Sequence, residues 1–512
     1  MENEVEKIVK AGIESPAALE KIKKKIAEKL KISNPSNAEL LKAYHNLISK
    51  KRLKKDEVLE AILRKRKIRS LSGIVVVSLL TKPYSCPGKC IYCPTESGIP
   101  KSYLSKEPAV MRAVLNKFDP YSQIKMRLRA LEENGHPIDK IDLRIIGGTW
   151  SYYPKKYQKW FVTRCFEACN NSKSNSLEKE QKRNEKAKHR IIGITIETRP
   201  DFITDKEIKW LRELGVTRVE LGVQSIYDDV LKLNKRGHNV SDLIKATKLL
   251  KDAGFKICYQ IMPNLPGSDI KKDKKMFEII YNNLNFVPDL IKIYPCVILK
   301  EAPIYKMKEL NHKPYSKKQL INLIKYIKKI TPYYVRIQRI IRDIPADKIA
   351  LGPKEISNLR QVILKEIEKE GWRCSCIRCR EVKESYDPKE KLYLFRQDYE
   401  SSNGKEVFLS YESKNRERLY SLLRLRIGDL AIIREIHTYG QMHPLNKKGA
   451  VSPQHKGLGK KLMKEAERIT KEEFKRNKLS VISGVGVRGY YRKLGYRLKD
   501  TYMVKSLSGL IL

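Results

Sequence analysis

Between residues 72 and 296 the chain repeats one rhythm: a short apolar run, then a stretch with apolar residues at helical spacing. The runs are "SGIVVVSLL" (72–80), "KIDLRIIGG" (140–148), "HRIIGITIETRPD" (189–201), "VTRVELGVQS" (216–225), "FKICYQIMPNLPG" (255–267) and "DLIKIYPC" (289–296). Strands alternating with amphipathic helices pair in parallel, because each helix carries the chain back to the starting edge of the sheet. The fold class is therefore α/β, with a parallel sheet curled into a full or partial βα barrel. In such barrels chemistry gathers at the carboxyl ends of strands. That is where Gly147, Gly148, Thr149, Glu197, Gln224 and Gln260 fall, with Arg236 just beyond a strand.

Three further segments flank or interrupt this series. Residues 1–70 read as a helical module carrying 19 Lys/Arg against 10 Asp/Glu and ending in "LRKRKIRS". Over the whole chain 106 Lys+Arg face 59 Asp+Glu, a net charge of +47. A Lys-rich, heat-stable surface would account for part of that excess. A polyanion partner accounts for it better, since neutralised phosphates release counterions, so the basic helices are expected to bind RNA. Residues 170–188 lack an apolar stripe and are expected to form a mobile basic loop. Near residue 355 the composition shifts: 71–355 is the expected barrel and 356–390 a linker containing "CSCIRC". Residues 391–512 change to strands and hairpins, with one long helix after a glycine loop. No run of eighteen apolar residues occurs and "MENEVEKIVK" has no secretory pattern, so a cytoplasmic protein without membrane contact is expected.

Cys86, Cys90 and Cys93 stand at C-x3-C-x2-C, directly after the first strand. Such a group could hold zinc with a distant fourth ligand. The spacing, with Tyr92 just before the last cysteine, instead favours three irons of a four-iron cluster with the fourth left open, and this loop resembles that of radical S-adenosylmethionine enzymes. The resemblance implies a 4Fe–4S cluster on Cys86, Cys90 and Cys93. It also implies S-adenosylmethionine held by Gly147, Gly148, Glu197, Gln224, Arg236 and Gln260.

"QHKGLGK" (454–460) follows strands and opens a helix, where backbone N–H groups can cradle a pyrophosphate. With "YYRKLGY" (490–496) it resembles a GNAT acyltransferase. That likeness implies acetyl-CoA on Gln454, Gly457, Leu458, Gly459 and Lys460, its pantetheine arm along Glu435, Ile436, His437 and Thr438, and Tyr491 near the thioester. Tyr490 is equally readable as core. "CSCIRC" supplies Cys374, Cys376 and Cys379 for a structural zinc, with Cys296 the expected fourth ligand and Cys258 the alternative. Cys165 and Cys169, i and i+4 on an apolar helix, read as packing.

A radical S-adenosylmethionine barrel joined to a C-terminal GNAT domain is a rare pairing. Through "MRAVLNKFDPY", "ELGVQSIYDDV", "RLRIGDLAIIREIHTYG" and "VISGVGVRGYYRKLGYRL" the chain resembles the Elongator catalytic-subunit family over nearly its whole length. Members often read Cys-Pro-Gly-Gly where this chain has Cys93-Pro94-Thr95-Glu96, and many space the first two cysteines more widely. The resemblance implies carboxymethylation of the wobble uridine in the tRNA anticodon loop, from acetyl-CoA and a 5′-deoxyadenosyl radical. Lys140 matches a lysine that meets acetyl-CoA from the barrel side. A homodimer is compatible with this reading. The competing functions are a protein lysine acetyltransferase with a structural cluster, and a non-catalytic tRNA-binding scaffold.

Overall fold

The computed structural model describes residues 2–508 except 11, 14, 55, 65–69, 355–357, 384–385 and 441–456. Strands β1 (Val75–Leu80), β2 (Lys140–Ile146), β3 (Arg190–Thr198), β4 (Arg218–Gln224), β5 (Lys256–Ile261) and β6 (Leu290–Ile293) lie side by side in sequence order. A short antiparallel pair, β7 (Ile298–Leu299) with β9 (Ile349–Leu351), stands apart, and β8 (Arg336–Arg339) extends the main sheet beyond β6. Every pairing in this seven-stranded sheet is parallel. Its order ends at β1 and β8, which do not pair, so the expected barrel is a partial one.

The two faces of the sheet carry opposite chemistry. Val75, Val77 and Leu79 on β1, and Ile141, Leu143 and Ile145 on β2, pack into the main core with the outer helices. The intervening residues face inward: Ile74, Val76 and Ser78, then Asp142 and Arg144, then Lys256 and Gln260 on β5. Period-two alternation therefore wraps an apolar outer layer around a polar interior.

Residues 170–188 correct the expectation of a mobile loop. Leu177–Asn184 is a helix, and the segment is ordered by polar contacts that an apolar pattern does not register. Buried Glu180 accepts from Asn170 Nδ2 and Ser172 Oγ, both at 2.6 Å, while Asn184 bonds to Asn170 (2.8 Å) and the His189 carbonyl (3.0 Å).

Among the described residues the N-terminal module is four helices, Glu2–Lys10, Pro16–Leu30, Asn37–Ser49 and Glu57–Leu63, around a core of its own. Its third helix begins with a capping box in which Ser36 and Glu39 each bond the other's backbone N–H, satisfying donors that a helix start leaves open. Lys65, Arg66, Lys67 and Arg69 lie outside the described residues.

The C-terminal domain is a second seven-stranded sheet. β10 (Tyr393–Ser401), β11 (Gly404–Glu412), β12 (Leu419–Ile427) and β13 (Ala431–Thr438) form an antiparallel meander. β14 (Lys478–Val481) runs parallel to β13, β16 (Tyr502–Ser506) pairs antiparallel with β14, and β15 (Arg497–Lys499) pairs with β16 at the edge. This domain docks on the floor of the partial barrel, where its strands begin. Arg434 Nη2 donates to the Phe255 carbonyl just before β5, and Tyr502 OH to that of Ala253. Gly484 lies so close to β3 that a Cβ there would meet the Ile192 oxygen at 2.0 Å. Only glycine fits that contact. No helix among the described residues is long and apolar enough to cross a membrane.

Candidate active site

The cysteine loop sits at the mouth, just beyond β1. Cys90 is buried and Cys86 and Cys93 are half-buried. Among the described residues, the one group of three metal-binding side chains with all ligand atoms within 4.8 Å is Cys374, Cys376 and Cys379. The mouth cysteines are spread more widely, which suits a cluster better than a single ion. Cationic groups surround them. Arg236 Nη1 lies 3.6 Å from Cys90 Sγ, and a Cβ on Gly88 would lie 2.9 Å from Arg199 Nη1 and about as far from two sulfurs, 3.6 Å from Cys86 and 3.5 Å from Cys90. Burial alone would raise the Cys90 thiol, but Arg236 and Arg199 hold it below its ordinary value. Burial pushes Cys93 up to about 12, with Cys90 adding to it. Arg199 Nη1 and Arg236 Nε are buried and have no hydrogen-bond partner among the described residues. Thiols ringed by orphaned donors fit an anionic iron–sulfur cluster.

The residues expected to hold S-adenosylmethionine converge on the same place. Gly148, Glu197, Gln224, Arg236 and Gln260 line one cavity of ≈ 1220 Å³. Gly147 does not line it: at φ 134°, a Cβ there would meet Thr81 Oγ1 at 2.1 Å, so this glycine lets β2 end against β1. Glu197 accepts from Tyr103 OH at 2.7 Å and Gln260 Nε2 at 2.9 Å. Burial, with the adjacent Glu220, raises its pKa despite Lys292 3.5 Å away. Lys292 pairs with Glu220 inside the sheet. Neither was among the residues singled out from the sequence. The available signal was a charge inside an otherwise apolar strand, Lys292 in "LIKI" and Glu220 in "RVELGV". Such charges are almost never buried unless paired.

The same cavity continues to the floor, where Glu435, Ile436, His437 and Ser72 line it. Among the described residues β13 pairs with β14 only at Ile432 and Ile433, which leaves the β14-side edge of Glu435–Thr438 without a strand partner there. An extended amide chain could add there as a strand. Glu435 is locked by Lys256 at 3.0 Å and Arg424 at 2.9 Å. Burial alone would raise its pKa, but the two cations and His437 hold it well below the usual carboxylate range. Gly457 (φ 79°) starts the helix Leu458–Arg468, and among the described residues no side chain caps its first N–H groups. Leu458 is buried and Lys460 exposed; Gln454 lies outside the described residues.

The tyrosine pair requires a correction. Tyr491 is 5% exposed within the core of the C-terminal domain, with Leu462, Met463 and Tyr496. It is Tyr490 whose hydroxyl approaches the glycine loop, 3.1 Å from where a Gly459 Cβ would stand, beside Ile436 and Thr438. Neighbours on a helix point about 100° apart, so only one of the two can face the loop. Lys140, at the floor end of β2, does not line the cavity; burial lowers it to about 8, with Asp139 opposing.

Residues 80–280 match the radical SAM superfamily and 288–369 the Radical_SAM C-terminal domain. The tRNA uridine(34) acetyltransferase of Methanocaldococcus infernus is 48% identical, covering 93% of this chain and 92% of its own length. Human Elongator complex protein 3 is 37% identical over 88% of this chain and 87% of its own. The chain belongs to the Elongator protein 3 family. The structure of the archaeal Methanocaldococcus infernus Elp3 lacking residues 1–46 matches at a TM-score of 0.75 with 45% identity, covering 85% of this chain and all of that one.

In this family member the second thiol group lies at the other end of the sheet. Ile377 N donates to the Val335 carbonyl just before β8, which places Cys374, Cys376 and Cys379 by the strand beginnings. Cys296 lies past the end of β6, its N–H on the Pro263 carbonyl, packed with Cys90, Tyr92 and Leu265. β6 and β8 are parallel neighbours, so the expected Cys296 ligand is displaced by about a strand length, roughly 13 Å for four residues. Cys258, in the middle of β5, does not join the group either. Lys328 Nζ instead lies 3.3 Å from Cys379 Sγ. Cys165 and Cys169 are core packing, as their spacing suggests.

Proposed function

We propose that this chain carboxymethylates C5 of the wobble uridine in tRNA, with acetyl-CoA as carbon donor. The observation that carries the reading is the single cavity lined by Cys86, Cys90 and Cys93 at the mouth and by Glu435, Ile436 and His437 at the floor. The names of the relatives, tRNA uridine(34) acetyltransferases, support the substrate. Cys86, Cys90 and Cys93 would hold the cluster, and Gly148, Glu197, Gln224 and Gln260 would face S-adenosylmethionine. Together those groups, when bound, supply a carbon-centred radical able to take hydrogen from an unactivated methyl. Gly457 and Gly459 would seat the donor's pyrophosphate, the open edge of β13 its arm, and Tyr490 would flank the thioester end. One hydrogen atom would leave the acetyl methyl and its carbon would replace the hydrogen on C5, that hydrogen departing as a proton while one electron passes to a one-electron acceptor. Water would then split the thioester, releasing coenzyme A and leaving the carboxymethyl group. The basic N-terminal helices add phosphate contacts.

A lysine acetyltransferase needs a base for the incoming amine. Glu435, the carboxylate on the open strand edge, is ion-paired on both sides and too acidic for that role. With methyl-deuterated acetyl-CoA, deuterium is expected in 5′-deoxyadenosine only when tRNA is present, measured by mass spectrometry under anaerobic, reducing conditions. Deuterium-free 5′-deoxyadenosine alongside acetylated lysines would instead establish the acetyltransferase reading.

For the floor thiols we propose one structural zinc on Cys374, Cys376 and Cys379. Among the described residues no fourth Cys, His or carboxylate joins them. Cys376→Ser is expected to reduce zinc from about one equivalent to none and to lower stability while iron content stays unchanged. Zinc-free wild-type protein, by elemental analysis, would count against the assignment.

A further inference from the structure

An unbroken row of aromatic rings starts beside cavity residues Cys86 and Thr149 and runs outward onto the helix Lys155–Asn170. Phe202 meets Tyr152 edge-on at 5.9 Å, Tyr152 lies 6.0 Å from Tyr84, and Tyr84 stacks on Tyr153 at 4.9 Å. Tyr153 in turn stacks on Tyr157 at 5.2 Å, and Tyr157 lies 5.5 Å from Trp160. The inner members are anchored. Tyr153 is buried, its hydroxyl bonded to Thr81 Oγ1 and the Lys82 carbonyl, and Tyr157 OH accepts from Lys82 N. The outer members are not: Tyr84 and Tyr152 are each 39% exposed and Trp160 43%. Scattered exposed aromatics need no explanation, but a contiguous row beside a site does.

Position and charge indicate what covers it. Tyr84 is two residues from Cys86, and Tyr152 ends the turn Trp150–Tyr152 that follows Gly148 and Thr149. Cys86, Gly148 and Thr149 all line the cavity. Cations accompany the rings. Lys82 Nζ is 5.1 Å from the Tyr157 ring centre, and Arg199, itself a cavity residue, is 5.9 Å from that of Phe202. Lys156 is exposed on the helix carrying Tyr157 and Trp160, as are Lys155 and Lys159, which pair with Glu207 and Glu178. Aromatic faces interleaved with cations match single-stranded nucleic acid, whose bases stack while its phosphates are neutralised.

We propose that Tyr84 and Tyr152 form a stacking platform for the unpaired RNA bases next to the nucleotide that enters the cavity. This rests on the reading of the chain as a tRNA-modifying enzyme and adds where the loop is held. A base presenting C5 inside the cavity must leave its own stack, which strips its neighbours of a stacking partner. Tyrosine faces, held rigid by Tyr153 beneath Tyr84, replace that partner.

The test uses an RNA hairpin carrying the anticodon loop, with 2-aminopurine beside the target uridine. Tyr84→Ala and Tyr152→Ala are each expected to raise Kd about tenfold, since a base–aromatic stack contributes roughly 1–3 kcal/mol and about 1.4 kcal/mol is tenfold. The salt dependence of binding stays the same, because no phosphate contact is removed. Tyr84→Phe and Tyr152→Phe keep Kd within about twofold, and fully duplex RNA binds all variants alike. Fluorescence quenching of the 2-aminopurine on binding is lost in the alanine variants and kept in the phenylalanine ones. Iron content and melting temperature, unchanged in all four, certify the fold. Unaltered Kd and quenching in the alanine variants would overturn the platform while leaving the tRNA reading intact, and absence of hairpin binding by the wild type would remove that reading too. A shift from dimer to monomer on Tyr84→Ala or Tyr152→Ala would assign the row to contact between two copies of this chain.

Discussion

The triple variant Cys86→Ala, Cys90→Ala, Cys93→Ala is expected to retain no iron after anaerobic reconstitution, where the wild type takes up about four. Its modification of uridine should fall by on the order of 10⁶-fold or more, since the radical step has no substitute among the side chains. The fold should survive, because the loop belongs to a small cluster at the mouth and not to the main core. The remaining thiols are poorly placed to rescue the site. Cys296 stands alone beside the loop, and burial pushes it up to about 12. Cys374, Cys376 and Cys379 are at the opposite end of the sheet, too close together for a cluster of this kind. Four irons retained in the triple variant would move the cluster to that second group and undo the functional assignment.

Asp289→Ala is expected to cost about 3–5 kcal/mol of stability, the usual loss when one member of a buried ion network is removed. Asp289 precedes β6 and is fully buried where the two large domains meet. It accepts from both terminal nitrogens of Arg434, at 2.9 and 2.5 Å, and from Ile257 N at 2.9 Å, with Arg424 3.6 Å away. Removing it leaves two buried guanidiniums of the C-terminal domain facing an apolar gap. Glu406 would still hold Arg434, which keeps the loss finite. Asp289→Asn retains an acceptor for the Ile257 N–H and should lose less. The wild type is expected to show a matching acid sensitivity. Burial alone would raise Asp289, but Arg434, Arg424 and Lys251 hold it down at about 2. A carboxylate with a lowered folded-state pKa contributes fully above its unfolded value of about 3.9. That contribution is lost as pH falls from about 4 toward 2. Denaturant titrations at neutral pH and across this acid range check both, and an Asp289→Ala loss below about 1 kcal/mol would show the network to be dispensable.

Local patterns made much of this protein legible. The short apolar run "IVVVSLL", rich in β-branched residues, marks β1, because such side chains suit a strand buried in a parallel sheet. The spacing of Cys86, Cys90 and Cys93 and the glycines at 457 and 459 are likewise short-range features, decided within a few residues. So is the Ser36–Glu39 capping box. The helix at 177–184 was not legible, since Glu180 and Asn184 are ordered by hydrogen bonds to partners an apolar period ignores. Nor could spacing tell Tyr490 from Tyr491, or show that Lys292 and Glu220, 72 residues apart, share one buried pair. Cys296 shows the same limit: its place at a strand end was readable, but not that Cys374, Cys376 and Cys379 lie at the strand beginnings. The sequence by itself determined which strands and loops form and which chemistry each carries. Tertiary structure alone decided that the C-terminal sheet docks under the partial barrel and that one cavity joins Cys86 to Glu435. That outcome depends on contacts such as Arg434 with Asp289, between residues 145 apart, whose energies arise only once both elements are already in place.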